Sequence, residues 1–342
     1  MKQIADRAGV HPATVSRALN RETAAMISDE TRERVLATAE SLGYVPSIPA
    51  RTLRHGRSET IGIVVADLEN PYTGRIIRGV ENALEGRGIM ALVAETQDDA
   101  DRMARVTGHL LSRNVDAIIC TGARQGYDRL LRKTYEQIPV VLVDRMLPGS
   151  GLSTVAPDDI VGGRLAARHL LDLGHRRLAQ LEGPTDISSF ERRSAGFAAE
   201  VAEAGAELVE VTDVAVEPSV NEGRRLMSLL LDDRPAPSAV FAQNDFLALG
   251  VLAVLRDRGM RCPEDISLIG CDDLPFAEFT SPPLTTVHLP GYQLGRMAAE
   301  VAVSMTEDPA QQASDLTVTP WITIRESTAS LPGALDIESR SP

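Results

Sequence analysis

Four polar clusters stand directly behind short apolar runs: Asp67, Asp144-Arg145, Asn244-Asp245 and Asp272-Asp273. Carboxylates and an amide make several hydrogen bonds each, and an arginine adds a planar fork of five donors. Such a set suits multi-point capture of a small polar molecule. Bond-breaking chemistry is not signposted. The chain carries no G-x-S-x-G elbow, P-loop, G-x-G-x-x-G, H-E-x-x-H or C-x-x-C. Its six histidines, His11, His55, His109, His169, His175 and His288, show no metal-ligand spacing. The expectation is a binding protein with no catalytic residue, no metal and no cofactor, rather than an enzyme.

The elements that hold those clusters follow from periodicity. TIGIVVAD (60–67), MALVAET (90–96), DAIICTG (116–122) and PVVLVDR (139–145) are nearly continuous apolar runs. Amphipathic helices separate them, for example IIRGVENALEGRG (76–88). Strands of that kind are parallel and buried on both faces. After GLSTVAPDD the pattern recurs in RRLAQLEG (176–183), ELVEVTDV (207–214), SAVFAQND (238–245) and ISLIGCDD (266–273). LTTVHL (284–289) and WITIRES (321–327) add strands, with a helix between them around Tyr292–Met305. The fold class is therefore α/β, with two similar lobes. In open parallel sheets a ligand sits beyond the carboxyl ends of the strands, where the four clusters lie.

The first 46 residues have a different period. Ile4, Ala5 and Ala8 share one face before Gly9. HPATVSRALN (11–20) opens on Pro12 and buries Val15 and Leu19. A third helix begins after Ser28, a good N-cap, turns Val35, Leu36, Ala39 and Leu42 inward and stops at Gly43. Two short helices joined through glycine and braced by a third make a helix-turn-helix. Its second helix enters the DNA major groove, so Pro12, Ala13, Thr14, Ser16 and Arg17 face the bases and phosphates. A small helical bundle with no ligand also fits the helices alone.

Charge divides the same way. Residues 1–58 hold nine Lys/Arg against six Asp/Glu, a net of +3, which leaves −16 for the remainder of a chain whose total is −13. Only the head suits a polyanion. No run approaches the roughly 20 apolar residues of a membrane helix. MKQIADRAGV has no apolar stretch of signal length, and the three cysteines are scattered, which fits buried thiols in a cytoplasmic protein.

The runs IADRAGVHPATVSRALN, SDETRERVLATAESLGYVPS and ARTLRHGRSETIGIVVAD resemble the N-terminus of lac-repressor-type regulators, the LacI/GalR family, and the likeness continues to IRES near 327. It departs at the start, where the family usually carries a few more residues, often with a Thr cap. The resemblance implies a helix-turn-helix over 1–46, a hinge helix over 47–58, an effector-binding and dimerisation body over 59–330 and a tail over 331–342. It also implies a periplasmic-binding-protein-like body. One lobe takes about 59–158 and 290–318, the other about 159–287 and 320–330. On composition alone YVPSIPARTLRHGRS reads as a solvated linker. In the family its counterpart pairs with the dimer mate in the minor groove, so Leu53 becomes a wedge between base pairs, flanked by Arg51 and Arg54.

The same resemblance assigns Arg193 of RSAGF, Asn244 of QND and Asp272 of GCDD to effector contact, with Tyr72, Arg145, Asp158 and Ser189 beside them. An aromatic can stack on the ligand near Val216; TDVAVEPSVNEG offers none, which leaves Phe190. With aromatics at 4% of the chain, a sugar or sugar acid is expected rather than a purine. The implied protein is a homodimeric repressor bound to a near-palindromic DNA operator. A solute-binding module and an enzyme are the competing readings.

Overall fold

The computed structural model describes residues 1–19, 23–44, 57–233 and 235–331. It divides into two compact units, Met1–Glu59 and Thr60–Pro342.

In the first unit α1 (Lys2–Ala8) ends at Gly9, whose φ of +68° is cheap only for glycine, with its N–H donated to the Ala5 carbonyl. Helix α2 (Pro12–Ala18) is capped by His11, whose Nδ1 accepts from Ala13 N at 3.2 Å. Helix α3 (Asp29–Ser41) closes a core of Ile4, Ala5, Ala8, Val15, Ala18, Val35 and Ala39. Two expectations change here. Leu36 is 41% exposed, because the buried stripe of α3 runs through Val35 and Ala39 and the next residue lies about 100° around the helix. Ser28 does stand at the cap, but its hydroxyl bonds Thr31 Oγ1 at 3.0 Å instead of a backbone N–H.

The second unit holds two six-stranded sheets. In chain order the first lobe supplies β1 (Thr60–Val65), α4 (Pro71–Glu85), β2 (Met90–Glu95), α5 (Ala100–Ser112), β3 (Ala117–Cys120), α6 (Asp128–Tyr135), β4 (Val140–Val143) and β5 (Ser153–Pro157). The second supplies α7 (Asp159–Asp172), β6 (Arg177–Leu181), α8 (Ser188–Glu203), β7 (Glu207–Val209), α9 (Val220–Asp233), β8 (Ala239–Ala242), α10 (Asp245–Asp257), β9 (Ser267–Asp272) and β10 (Thr285–His288). The chain then returns to the first lobe as α11 (Gly291–Glu307) and β11 (Asp315–Val318), and ends in the second as β12 (Trp321–Thr323). Strand orders are β11-β5-β4-β3-β1-β2 and β12-β10-β9-β8-β6-β7, and only the β10–β12 pair is antiparallel. Strands β5 and β11 were not legible as strands. STVAP opens on two polar residues and ends in proline, and DLTV begins on an acid at the sheet edge. The chain crosses between lobes three times, after β5, before α11 and between β11 and β12.

Helix pairs within each lobe cross on glycines. A Cβ added to Gly163 of α7 would lie 2.1 Å from the Arg193 carbonyl oxygen of α8, and one on Gly196 would lie 2.1 Å from the Ile160 oxygen. Gly163→Ala is expected to destabilise the chain by about 1–3 kcal/mol, the usual cost of overpacking. Gly74→Ala, where the added methyl meets nothing within 4 Å, serves as the control. Equal urea midpoints for the two variants would contradict the packing.

His175 is held from three sides. Its Nδ1 meets Ser238 Oγ at 2.9 Å, and its Nε2 lies 3.1 Å from both Ser267 Oγ and the Ala329 carbonyl. It joins the starts of β8 and β9 to the C-terminal segment, a structural role. Cys120 and Cys271 are buried free thiols, whereas Cys262 is half-buried, its thiol 3.4 Å from the Ser327 carbonyl.

Candidate functional site

The carboxyl ends of the two sheets enclose a cavity of about 750 Å³, lined by Tyr72, Asp144, Arg145 and residues after β1, β2 and β3 on one side, and by 216–220 and Phe246 on the other. Two strand ends, those of β4 and β9, present a carboxylate on unusual backbone. Asp144 has φ +69° and Asp272 φ +111°, left-handed backbone that non-glycine residues hold only under strain, and such strain gathers at binding sites.

Behind the cavity wall sits a buried charged cluster. Arg193, 2% exposed, donates Nη2 to Asp159 Oδ1 at 2.7 Å and Nη1 to the Gln243 carbonyl. Its guanidinium lies 5.5 Å from the centre of the Phe190 ring. Asp272 accepts from Asn244 Nδ2 at 2.5 Å, while Asn244 Oδ1 caps α10 by accepting from Phe246 N at 2.8 Å. Three atoms of this cluster have no hydrogen-bond partner among the described residues: the Tyr72 hydroxyl, Asp159 Oδ2 and Arg193 Nε. Asp144 is near enough to act on the Tyr72 phenol electrostatically, yet no acceptor meets that hydroxyl in hydrogen-bond geometry. Buried polar atoms left unmet are costly; of these three, the Tyr72 hydroxyl belongs to a residue that lines the cavity, and Asp159 and Arg193 lie in the buried cluster beside it.

The expected effector residues separate into two sets. The structure brings Tyr72, Arg193, Asn244 and Asp272 together. Arg145 lines the cavity with its guanidinium on Asp98 at 2.7 Å. Asp158, in contrast, caps α7 by accepting from Val161 N at 3.2 Å and faces Arg192 at 3.9 Å, outside the cavity wall. Ser189 and Phe190 are buried in the first turn of α8, also outside the wall, with the Phe190 ring filling the space beside Gly183. Besides Tyr72, the aromatic lining the cavity is Phe246, 5.3 Å from the Phe276 ring, and Val216 stands there 76% exposed. Asp159 was overlooked as well; in PDD one acid caps the helix and the next points inward to Arg193.

Burial sets the electrostatics. It raises the Asp144 and Asp272 carboxyls above their ordinary range, against the pull of Arg193. It also pushes Asp159 up to about 7, outweighing its bond to Arg193. The folded chain thus holds the Asp159 proton more tightly than the unfolded chain, where a carboxyl titrates near 3.9. This group's contribution to stability falls as pH rises from about 4 to about 7 and is level above that. The urea midpoint of the native chain is expected to drop relative to Asp159→Asn across that window; a gap independent of pH would contradict it.

The lobes touch beside the cavity. Arg124 meets Asp186 at 2.8 Å, Gln125 N donates to the Asp186 carbonyl at 2.9 Å, and Met146 N donates to Ser188 Oγ at 2.8 Å. Arg75, in the same helix as Tyr72, donates to the Asp272 carbonyl at 3.3 Å and the Asp273 carbonyl at 2.6 Å. Asp273 itself is structural, tied to Arg325 at 2.7 Å and His288 at 2.8 Å, which hold it down to about 2 although burial opposes this.

On the first unit, Pro12, Ala13 and Arg17 are exposed along α2, with Thr14 and Ser16 half-buried. Arg51, Leu53 and Arg54 lie outside the described residues. No helix among the described residues is long and apolar enough to cross a membrane.

Residues 1–47 match the lacI family of bacterial regulatory proteins, and residues 167–328 match the periplasmic binding protein-like domain. The ribose operon repressor of Escherichia coli K12 is 34% identical over 330 residues, covering 96% of this chain and 99% of the repressor. A solved complex of the transcriptional regulator CelR with cellobiose is 31% identical with a TM-score of 0.74, covering 95% of this chain and 98% of that one. A LacI family regulator from Enterococcus faecium with bound ribose is 28% identical with a TM-score of 0.69, covering 80% and 99%.

Proposed function

The chain belongs to the lacI family of bacterial regulatory proteins and is a DNA-binding transcriptional regulator, and from that premise we propose a homodimeric repressor whose hold on a near-palindromic operator is set by a sugar in the cleft. The observation that carries the effector reading is the set of unmet buried atoms on Tyr72, which lines the cavity of about 750 Å³, and on Asp159 and Arg193 in the buried cluster beside it. Arg193 and Asp272 grip neighbouring hydroxyls, a donor fork opposite an acceptor. Tyr72 completes the ring of contacts, and Phe246 offers an apolar face. The sugars in the CelR and E. faecium structures support this class of ligand.

Ligand contacts made by both lobes favour one lobe arrangement over another, and only that difference in affinity can shift an equilibrium. Arg75 is the direct link, since it grips the backbone of Asp272 from the helix that carries Tyr72. The change passes to the operator through residues 47–58, with Leu53 as wedge and Arg51 and Arg54 on phosphates. Arg17, Ser16 and Thr14 contact bases and backbone from α2, while Pro12 and Ala13 read shape and apolar edges. Two heads on one two-fold operator require a C2 dimer.

The test is a thermal-shift screen of the full chain against sugars, sugar acids and purines. A sugar that raises the melting temperature of the native chain but not of Asp272→Ala supports the cleft. A purine as the sole hit overturns the sugar reading.

A further inference from the structure

We propose that the cleft is built for an uncharged sugar and rejects the phosphorylated and carboxylated forms of that same sugar, so that the regulator reads the substrate, not the product, of a sugar kinase or sugar-oxidising enzyme. The inference rests on the sugar reading above and narrows it.

Charge is the first ground. The cavity wall carries six carboxylates against two guanidiniums. Both guanidiniums are committed, Arg145 to Asp98 at 2.7 Å and Arg124 to Asp186 at 2.8 Å. Behind the wall, Asp159 and Asp272 face Arg193, which is paired with Asp159 at 2.7 Å, and Arg192 acts more weakly on Asp159. Asp144 has no ion-pair partner among the described residues. Asp67, Glu69 and Glu217 are exposed and screened by solvent, so the negative charge that an arriving anion meets with least screening is that of Asp144, Asp159 and Asp272. Burial is the main cause that raises the carboxyls of Asp144, Asp159 and Asp272, and it penalises a buried anionic ligand in the same way.

Helix ends are the second ground. Free N–H groups at a helix N-terminus are the usual seat of a phosphate or carboxylate. Three of the helices opening beside the cluster, α4, α7 and α10, are capped by side chains, and α8 is not. Asn70 accepts from Tyr72 N at 2.9 Å, Asp158 from Val161 N at 3.2 Å and Asn244 from Phe246 N at 2.8 Å. Helix α8 carries Glu191 in its first turn.

The unmet atoms are the third. The Tyr72 hydroxyl and Arg193 Nε lack an acceptor, and Asp159 Oδ2 lacks a donor. Sugar hydroxyls serve both roles, whereas a carboxylate or phosphate only accepts.

The experiment is isothermal titration of the full chain with matched series: D-ribose, D-ribose 5-phosphate and D-ribonate; D-glucose, D-glucose 6-phosphate and D-gluconate; cellobiose and cellobionate. In the series that binds, the uncharged member is expected to bind about 100-fold or more tightly than its anions, on the order of one unit charge held near another at low effective dielectric. In Asp144→Asn the gap is expected to narrow at least about tenfold. In the native chain, anion affinity should rise between pH 8 and pH 5 while that of the uncharged sugar holds level. An anion that binds as tightly as its parent overturns the inference and leaves the sugar reading standing. Operator affinity that responds to a purine and to no sugar of either charge overturns the sugar reading and the inference together.

Discussion

Replacing Arg193 with alanine is expected to cost about 3–5 kcal/mol of stability and to abolish the thermal shift given by the effector sugar. The size follows from what stays behind. Asp159 is fully buried with Arg193 as its ion-pair partner, and removing one member of a buried pair strands the other charge. Asp159 escapes part of the cost by taking a proton, which its position near 7 makes easy around neutral pH. The loss should therefore be larger at pH 8 than at pH 5.5. Urea denaturation at the two pH values measures the first effect and sugar-dependent melting the second. A variant that is as stable as the native chain and still shifts with sugar would remove Arg193 from the site.

Leu53→Ala should weaken specific operator binding by about tenfold to a hundredfold, leaving sugar affinity unchanged. An apolar wedge unstacks a base step at a cost of a few kcal/mol and recovers it through the wider contact of a bent duplex. Removing the wedge forfeits that gain. Each tenfold corresponds to about 1.4 kcal/mol, so the range is about 1.4–2.8 kcal/mol. Loss of the charged neighbours should look different. Arg51→Ala and Arg54→Ala should lower the salt dependence of binding and affect all sequences alike. A gel-shift titration at fixed salt separates the two; operator affinity unchanged in Leu53→Ala contradicts the wedge.

The strand-end clusters were legible because a buried parallel strand is apolar to its last residue, so the first polar group marks the crevice. Asp144, Asn244 and Asp272 could be placed in that way. Arg193 could not, since it lies inside α8, where one more arginine in ERRSAGF looks like a solvated helix face; only likeness to a known family pointed to it. Asp158 and Asp159 show the limit of reading adjacent acids. Which one caps the helix and which is buried depends on the register of α7 against α8, set by glycine contacts that no local pattern reveals. Phe190 was chosen for its ring, but a ring in the first turn of a buried helix packs beneath the site, and Phe246 takes the wall. Strands β5 and β11 escaped because a short strand or an edge strand need not be apolar or alternate cleanly. Leu36 is apolar yet lies off the buried stripe of α3, which runs through Val35 and Ala39.

The most direct test of the account is the dissociation constant of the full chain for its operator, taken at one salt concentration with and without saturating sugar. The account predicts a change of about 5- to 150-fold, the range typical of coupled sites, and its disappearance in Arg193→Ala. Equal constants in the native chain, with the sugar shown to be bound, would contradict it.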